Sequence, residues 1–463
     1  MLKTAVALVA LLAASPALSQ AITPAEQAKI DALVTDALTK TKVPSATIAV
    51  VRGGKVVMAK AYGKASETIP VATPDLPYQI ASNSKQFTAM AMLMLEDEGK
   101  LSLDDHVSKY IPGITQGDKI TLRQLLSHTA GLQDYWPHDY SFAAMSKPVT
   151  PQGIVDIWAK KPLDYEPGTL WQYSNTGYVV AGMIVEKVSG MKLFDFLKAR
   201  IFTPLGMTSA MDQDDAIGPR FPQPYGRAAL GPVRPDTPAA RGWLYAAGEL
   251  AMTPTDLAKW DIARMNRTLV PADDWAAQET SVKLTDGKDT GYGLGVQVGN
   301  RNGHKLIAHT GESVGFLSAN YVYPDDKAAV VVMTNSWSGR AYATIVRGVS
   351  DIILPAKVDA DAKVRDAKVA SLYKELLAGK PDKALMTPNL QFYFTPQRVA
   401  DFKNSLSPLG TPDAITADGS SSLRGGFVVQ GYTVKYKDRS LDLSVFTEPG
   451  ANGRIEQFLV SGE

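Results

Sequence analysis

The sequence predicts an α/β protein of the α+β kind, in which one antiparallel sheet is flanked by helices and an all-helical lobe lies beside it. Strand-like runs occur at both ends of the main region, at residues 46–61 and 292–333, and mostly helical patterns fill the residues between them. The simplest assembly is a single sheet built from both ends of that region. Beyond residue 355 the composition changes, which predicts a small C-terminal α+β domain.

These patterns divide the 463 residues into four stretches. We expect a signal peptide at residues 1–20, a main domain at 21–354, a linker at 355–363 and a small α+β domain at 364–463. In the last stretch, helix signals at 364–378 and 396–406 precede strand signals at 426–436, 440–446 and 454–460. That order resembles the curved cone of the nuclear-transport-factor type. It contains no catalytic constellation, so the function is sought in the main domain.

Helical periodicity accounts for most of the main domain. At residues 24–40 the apolar residues Ile30, Val34 and Leu38 recur at helical spacing. After Ile80, by contrast, apolar residues cover nearly every face as far as Gly99, which indicates a helix buried inside the domain. Further helices are predicted at 121–126, 178–188, 193–201, 255–265 and 341–354, and an irregular surface excursion at 221–238.

Runs of β-branched and aromatic residues mark the strands. Two such runs, at 46–51 and 55–61, are separated by Arg52-Gly53-Gly54, which predicts a hairpin. Four more occur at 292–298, 305–308, 316–323 and 328–333, with turns expected at 299–303 and 324–326. A cleft between such a sheet and a helical lobe is a usual place for a ligand.

The composition excludes several classes of function. The net charge is +1 and no basic tract is present, which argues against a nucleic-acid partner. The absence of cysteine excludes disulfides, thiol nucleophiles and cysteine-ligated metals. None of the five histidines has the spacing of a metal-binding motif. We therefore expect no metal or other cofactor and a small-molecule or peptide substrate, and the oligomeric state is left open.

The N-terminus has the features of a secretory signal peptide. Lys3 precedes an apolar run at residues 5–14, and small residues follow at Ala17 and Ser19, which predicts cleavage near Ser19 or Ala21. A transmembrane anchor is the alternative, but the run is shorter than the ~20 residues needed to span a bilayer. We expect a secreted or periplasmic protein without stable membrane insertion.

Ser82 stands where an extended segment gives way to the buried helix. Lys85 follows about one helical turn later, so both side chains face the same way. The pattern S-x-x-K also occurs at Ser189 and Ser371, but only Ser82 lies at the front of an apolar helix, where backbone N–H groups favour developing negative charge. We interpret Ser82 as a nucleophile and Lys85 as the residue that activates it.

A second motif is Tyr173-Ser174-Asn175, which follows a predicted turn. A tyrosine beside a lysine is expected to lose its phenolic proton more easily, because the cation favours the phenolate. Such a phenolate would accept the serine proton and return it to the leaving group. Asn175 would hydrogen-bond Lys85 and a substrate amide. The alternative is a buried tyrosine whose hydroxyl is simply satisfied.

The third motif, His309-Thr310-Gly311, ends a predicted strand. Glycine there would let a substrate lie along the strand edge. The N–H of Glu312, just beyond this motif, and the N–H of Ser82 would together form an oxyanion hole. The alternative for His309 is a strand histidine satisfied by a neighbour.

Taken in this order and on these element types, the three motifs resemble those of the β-lactamase and penicillin-binding-protein superfamily. The likeness is to its class C-like branch, which includes class C β-lactamases, D-alanyl-D-alanine carboxypeptidases, D-aminopeptidases and esterases. It runs from about Ile30 to Leu354 and includes the stretches 125–132, 166–169 and 173–178. The resemblance implies a β-lactamase/transpeptidase-like fold. It also implies that Ser82 is acylated, that Lys85 and Tyr173 move protons, and that Asn175 and His309 orient the substrate.

One residue departs from the pattern of that superfamily. Most of its members have lysine where this chain has His309, and histidine is mostly neutral near pH 7 unless a partner raises its pKa. A substrate carboxylate would therefore be bound weakly, and Glu312 would repel it and favour an amine. We expect weak or absent β-lactamase activity and, as substrate, a D-amino-acid peptide or a small ester.

Two alternatives compete with an exported serine hydrolase that forms an acyl-enzyme. Residues 311–315 fit G-x-S-x-G, the nucleophile elbow of α/β-hydrolases, but a strand-like run follows Ser313 where the elbow needs a helix. The other alternative is a catalytically silent penicillin-binding-like protein that binds cell-wall fragments. The intact serine, lysine, tyrosine and asparagine argue against it.

Overall fold

The computed structural model describes residues 21–138, 140–337, 339–356 and 361–462, so the predicted signal peptide at 1–20 lies outside the described residues. The described residues divide into two compact units at Pro355, and each is treated separately below. In the part of the chain that is described, no helix combines the length and apolar character that a membrane span requires.

Four helices of the first unit begin at a threonine whose side chain caps the helix. Thr23 and Glu26 form a reciprocal capping box at the start of the first helix, and Thr253 caps another. The helices are α1 (Pro24–Thr41), α2 (Lys85–Asp97), α3 (Leu122–Leu126), α4 (Pro151–Ile154), α5 (Asn175–Ser189), α6 (Leu193–Leu197), α7 (Thr203–Leu205), α8 (Pro254–Asn266), α9 (Ala272–Gln278) and α10 (Ala341–Ile353). Most predicted helices are found, although the one expected at 193–201 continues from α6 as the π-helix Lys198–Phe202.

The strands of this unit come from both ends of the main region, as predicted. They are β1 (Ser45–Arg52), β2 (Lys55–Gly63), β3 (Tyr78–Gln79), β4 (Met211–Asp212), β5 (Tyr225–Gly226), β6 (Arg234–Pro235), β7 (Leu250–Met252), β8 (Gln297–Arg301), β9 (His304–Ser313), β10 (Phe316–Tyr323) and β11 (Ala328–Thr334). Six of them form one antiparallel sheet in the order β2-β1-β11-β10-β9-β8. This arrangement confirms the predicted fold class.

Two predictions near β8 are wrong. The run at 292–298 becomes a strand only from Gln297, because Gly295 adopts a left-handed conformation and lies against the backbone of Lys85. The turn expected at 299–303 is confined to Asn302 and Gly303, which both have positive φ, as a tight hairpin requires. The excursion at 221–238 also differs, since it contains the short pair β5–β6.

The central strands are buried on both faces. Alternate residues of β1 and β11 enter two different cores: Val51 and Val331 pack in the core that contains α2, whereas Val50 and Val330 pack with α1 and α10. Every residue of α2 from Lys85 to Leu95 is buried, which explains why its apolar residues are not confined to one face.

Close backbone contact holds the sheet against the segment that carries Ser82. A Cβ at Gly311 would overlap the carbonyl oxygen of Ile80 and the hydroxyl of Ser318. The Ser318 hydroxyl donates to that same carbonyl at 2.8 Å and accepts from the Asn83 amide at 2.8 Å. Gly311 therefore allows β9 to approach the turn that precedes α2, which is a different reason for glycine from the substrate access that the sequence suggested.

The second unit is a smaller α+β structure with its own core. Its helices are α11 (Ala362–Ala378), α12 (Pro388–Tyr393) and α13 (Pro396–Leu406), and its antiparallel sheet contains β12 (Ala414–Arg424), β13 (Phe427–Lys435), β14 (Ser440–Thr447) and β15 (Ile455–Ser461) in that order. Leu372 and Tyr373 of α11 pack on Val445 and Phe458 of the sheet. Sequence patterns missed β12, whose pairing with β13 is interrupted after Asp418. Its likeness to the cone-shaped fold stays a prediction.

We expect Gly311→Ala to lower the free energy of unfolding of the first unit by about 1–3 kcal/mol, because the added methyl group must push β9 away from Ile80. Urea unfolding followed by tryptophan fluorescence measures this unit alone, since all seven tryptophans precede Pro355. Gly299→Ala in β8 is the matched control, because no atom lies within 4 Å of a Cβ placed there. Equal midpoints for the two variants would contradict the close approach.

Candidate active site

A cleft of about 560 Å³ lies in the first unit, and the structure brings the three predicted segments together around it. Its lining includes Ser82, Tyr173, Asn175, His309, Thr310 and Glu312. The remaining two predicted residues, Lys85 and Gly311, are next to these. Aromatic side chains form much of the rest of the wall: Tyr135, Trp136, Trp171 and Trp337.

Ser82 lies in a single 3-10 turn, Ala81–Ser84, which leads directly into α2 at Lys85. The sequence predicted a serine at the front of this helix, and the structure adds the turn between strand and helix. Ala81 has a φ of 49°, a left-handed conformation that non-glycine residues rarely adopt and that tends to occur at functional sites. This turn places the Ser82 hydroxyl at the cleft while Lys85 remains inside.

The Lys85 amine is fully buried and has three oxygen partners. Its Nζ lies 3.0 Å from Ser82 Oγ, 2.8 Å from Asn175 Oδ1 and 2.6 Å from the carbonyl oxygen of Ala247. Burial lowers the pKa of Lys85 to about 7, although the Asp134 carboxylate opposes that shift. A neutral amine has two hydrogens, which the amide and carbonyl oxygens accept, and one lone pair, which remains for the hydroxyl proton of Ser82.

Asp134 is a site residue that sequence reasoning missed. One of its carboxylate oxygens accepts from the backbone N–H of Asn175 at 3.1 Å, and both accept from the Asn175 side-chain amide at 3.2 Å. These contacts orient that amide so that its oxygen faces Lys85. Burial raises the pKa of Asp134. The only local signal was a carboxylate within the aromatic stretch 133–140, and the contact itself spans 41 residues.

Tyr173 lies beside both Ser82 and Lys85. Its hydroxyl hydrogen-bonds Ser82, and the centre of its ring is 4.9 Å from Lys85 Nζ. Burial raises the pKa of Tyr173 far above its ordinary value, and this effect outweighs the hydrogen bond that lowers it. The expectation of an easily formed phenolate is therefore wrong for the free protein, because burial of the phenol, together with the nearby Asp134 carboxylate, disfavours its charged form.

His309 has both ring nitrogens engaged within the protein. Nδ1 donates to the carbonyl oxygen of Thr310 at 2.6 Å, and Nε2 lies 2.8 Å from the hydroxyl of Tyr292. Burial, together with the nearby Lys85, lowers the pKa of His309 to about 3. The side chain is therefore neutral and satisfied by its neighbours, which corresponds to the alternative considered from the sequence.

The open edge of β9 faces the cleft. Pairing between β8 and β9 ends at Gln297 and Ala308, so residues 309–313 are paired only with β10. The two-residue turn after Ser313 makes Ser313 and Phe316 a hydrogen-bonded pair, and the alternation of antiparallel bonds then directs the N–H of Glu312 towards the open edge. This N–H is the donor that the sequence proposed for an oxyanion hole with Ser82.

The competing serines have no comparable surroundings. Ser313 is buried, its hydroxyl donates to Gln79 at 3.0 Å, and β10 rather than a helix follows it, which removes the nucleophile-elbow interpretation. Ser189 donates to a carbonyl of its own helix, and Ser371 lies within α11. Within the described ranges, no three His, Asp or Glu side chains are grouped as metal ligands.

Comparisons with known proteins agree with this geometry. Residues 30–348 match the Beta-lactamase family. The chain is 28% identical over 341 residues to Penicillin-binding protein 4* of Bacillus subtilis (strain 168), an alignment that covers 70% of this chain and 75% of that protein. The D-amino acid amidase of Ochrobactrum anthropi SV3, complexed with D-phenylalanine, is 26% identical with a TM-score of 0.62 and covers 72% of this chain and 98% of its own.

A further similarity concerns the fold alone. The octameric penicillin-binding protein homologue from Pyrococcus abyssi is 23% identical, with a TM-score of 0.62. The match covers 94% of this chain and 100% of that one.

We expect Asp134→Asn to lower the pKa of Lys85 below about 7, because the variant removes the negative charge that favours the ammonium form. Carbon-13 NMR of protein labelled at lysine Cε would follow the titration, with the Lys85 signal identified by its loss in Lys85→Met. Asp286→Asn, which removes an exposed carboxylate paired with Lys288, is the control and should leave the midpoint unchanged. An unchanged or higher midpoint in Asp134→Asn would be inconsistent with this account.

Proposed function

The chain belongs to the β-lactamase family, and from that membership we propose that it is an exported serine hydrolase that forms an acyl-enzyme on Ser82. The observation that carries the proposal is the buried amine of Lys85, which is hydrogen-bonded to the Ser82 hydroxyl at 3.0 Å and whose pKa burial lowers to about 7. Export rests on the sequence pattern of residues 1–20. The penicillin-binding proteins and the amidase among its relatives support a hydrolase of amides or esters.

In the proposed reaction, Lys85 in its neutral form removes the Ser82 proton as Oγ attacks the substrate carbonyl. The N–H groups of Ser82 and Glu312 stabilise the oxyanion that develops. Tyr173 keeps its phenolic proton in the free protein, so it donates that proton to the leaving amine or alkoxide and recovers one from the Lys85 ammonium. Water then attacks the acyl-enzyme by the reverse sequence, which returns the proton to Ser82.

The charge of the cleft favours one class of substrate. Asp134 and Glu312 line it, and no lysine or arginine is found among its described lining residues. A substrate amine would be attracted by these carboxylates, whereas a substrate carboxylate would find no cation and a neutral His309. We therefore propose amides and small esters of amino acids with a free amino group, in line with the D-amino acid amidase relative.

Incubation with a fluorophosphonate, followed by peptide mass spectrometry, tests the nucleophile. We expect a single adduct on Ser82 that is lost in Ser82→Ala. Ser313→Ala is the matched control, because Ser313 belongs to the competing G-x-S-x-G motif and should not affect labelling. Failure of the intact protein to form an adduct on Ser82 would favour the alternative of a silent protein that binds cell-wall fragments.

A substrate panel tests the specificity. We expect turnover of p-nitrophenyl esters to exceed that of nitrocefin, because the β-lactam carries a carboxylate that this cleft has no cation to bind. D-phenylalanine amide and its N-acetyl derivative form a matched pair that differs only in the charged amine. A higher kcat/KM for the free amine is expected, measured by ammonia release. Preference for the acetylated amide, or for nitrocefin over esters, would contradict the proposed class.

A further inference from the structure

A chain of hydrogen bonds crosses behind the cleft from one catalytic motif to another. His128 Nδ1 lies 3.1 Å from the backbone nitrogen of Ser174, and His128 Nε2 lies 3.2 Å from the hydroxyl of Tyr292. That hydroxyl lies 2.8 Å from His309 Nε2, and His309 Nδ1 lies 2.6 Å from the carbonyl oxygen of Thr310. All three side chains are at most 3% exposed, so solvent does not compete for these bonds.

The two ends of this chain fix its direction. A backbone N–H only donates, so His128 Nδ1 is an acceptor and its proton must be on Nε2. A carbonyl oxygen only accepts, so the proton of His309 is on Nδ1 and its Nε2 is an acceptor. Tyr292 consequently accepts from His128 and donates to His309. The Tyr178 hydroxyl also contacts that of Tyr292, but it donates its own proton to the carbonyl of Leu126. The bare imidazole nitrogen of His309 is a stronger acceptor than a phenol oxygen, so it takes the Tyr292 proton.

His128 is held in place independently of this chain. Its φ of 60° is in the left-handed region, and its carbonyl oxygen accepts from the backbone of Gln172 and the hydroxyl of Tyr165, both at 3.0 Å. Its ring packs against that of Tyr173 with centres 4.2 Å apart. His128 thus contacts the Tyr173-Ser174-Asn175 motif through its imidazole, while its main chain holds Gln172, the residue that precedes the motif.

We propose that His128 and Tyr292 are positioning residues, which tie the Tyr173 motif of the helical lobe to the His309 motif of β9 and thereby fix the width of the cleft. The inference rests on the proposed function, because the two motifs would carry the proton transfer and the substrate contacts of that reaction. It also gives His309 a role different from that of the lysine found at this position in most of the superfamily. The His309 ring ends the hydrogen-bond chain at the sheet and has no nitrogen left for the substrate.

Neither imidazole adds charge beside the amine of Lys85. Burial lowers the pKa of His128 well below its ordinary value, and the same cause acts on His309. The Tyr292 hydroxyl supports this state, since it donates to a nitrogen that would otherwise be free to take a proton. The chain of hydrogen bonds from His128 through Tyr292 to His309 therefore holds the geometry of both motifs without a formal charge.

Tyr292→Phe removes the central hydroxyl and tests the proposal. We expect kcat for a neutral p-nitrophenyl ester to fall by about tenfold or more, with KM changed much less, because the motifs lose their alignment while the binding surface remains. Tyr323→Phe is the matched control: it also removes a buried tyrosine hydroxyl, one that lies at the end of β10 next to Ser350 of α10 and does not line the cleft. It should retain the kcat of the unchanged protein.

A direct measurement on the unchanged protein does not depend on the folding of any variant. Nitrogen-15 NMR of the imidazoles at pH 7 should show His128 protonated on Nε2 and His309 protonated on Nδ1. The opposite tautomer for either histidine, or a kcat of Tyr292→Phe equal to that of Tyr323→Phe, would overturn the inference. If Ser82 fails to react with fluorophosphonate while these tautomers are observed, the proposed function fails and the hydrogen-bond chain itself stands.

Discussion

The buried amine of Lys85 is the constraint on which the rest of the site depends. An ammonium removed from water is strongly unfavourable unless oxygens surround it or its proton is lost, and this structure uses both solutions. One oxygen comes from Ala247, which is 162 residues away in sequence, and another comes from Asn175 at the start of α5. The helical lobe must therefore close correctly on α2 before the amine is satisfied, which couples the fold of the lobe to the chemistry at Ser82.

The state of Tyr173 follows from the same burial. A low-dielectric site disfavours two charges of either sign, so an ammonium and a phenolate are not both formed in the free protein. Placing the basic lone pair on Lys85 and the mobile proton on Tyr173 leaves Ser82 between an acceptor and a donor. Lys85 and Tyr173 then need no net charge separation before substrate binds. In the proposed reaction, the oxyanion would be stabilised by backbone N–H groups that are already in place.

The sequence predicted those features that local pattern encodes. The buried character of α2 and the element on which each motif lies could be predicted, because apolar periodicity and glycine-marked turns act over a few residues. Asp134, His128 and Tyr292 could not be predicted as partners, since their contacts span 17 to 164 residues and depend on which buried polar groups remain unsatisfied. The predicted phenolate of Tyr173 was wrong for a related reason. The sequence shows that a lysine is near the tyrosine, but it does not show how completely both groups are desolvated.

The neutral His309 has a consequence for Lys85 as well as for the substrate. A lysine at this position, as in most of the superfamily, would depress the pKa of Lys85 through the repulsion of like charges. Here that contribution is absent, and the Asp134 carboxylate acts in the opposite direction. Burial alone must then bring the amine into the range where it accepts a proton near neutral pH. The complete enclosure of Lys85 by α2 and the helical lobe is therefore a chemical requirement of a site without a second cation, and under the proposed function the same lack of a cation would select against substrate carboxylates.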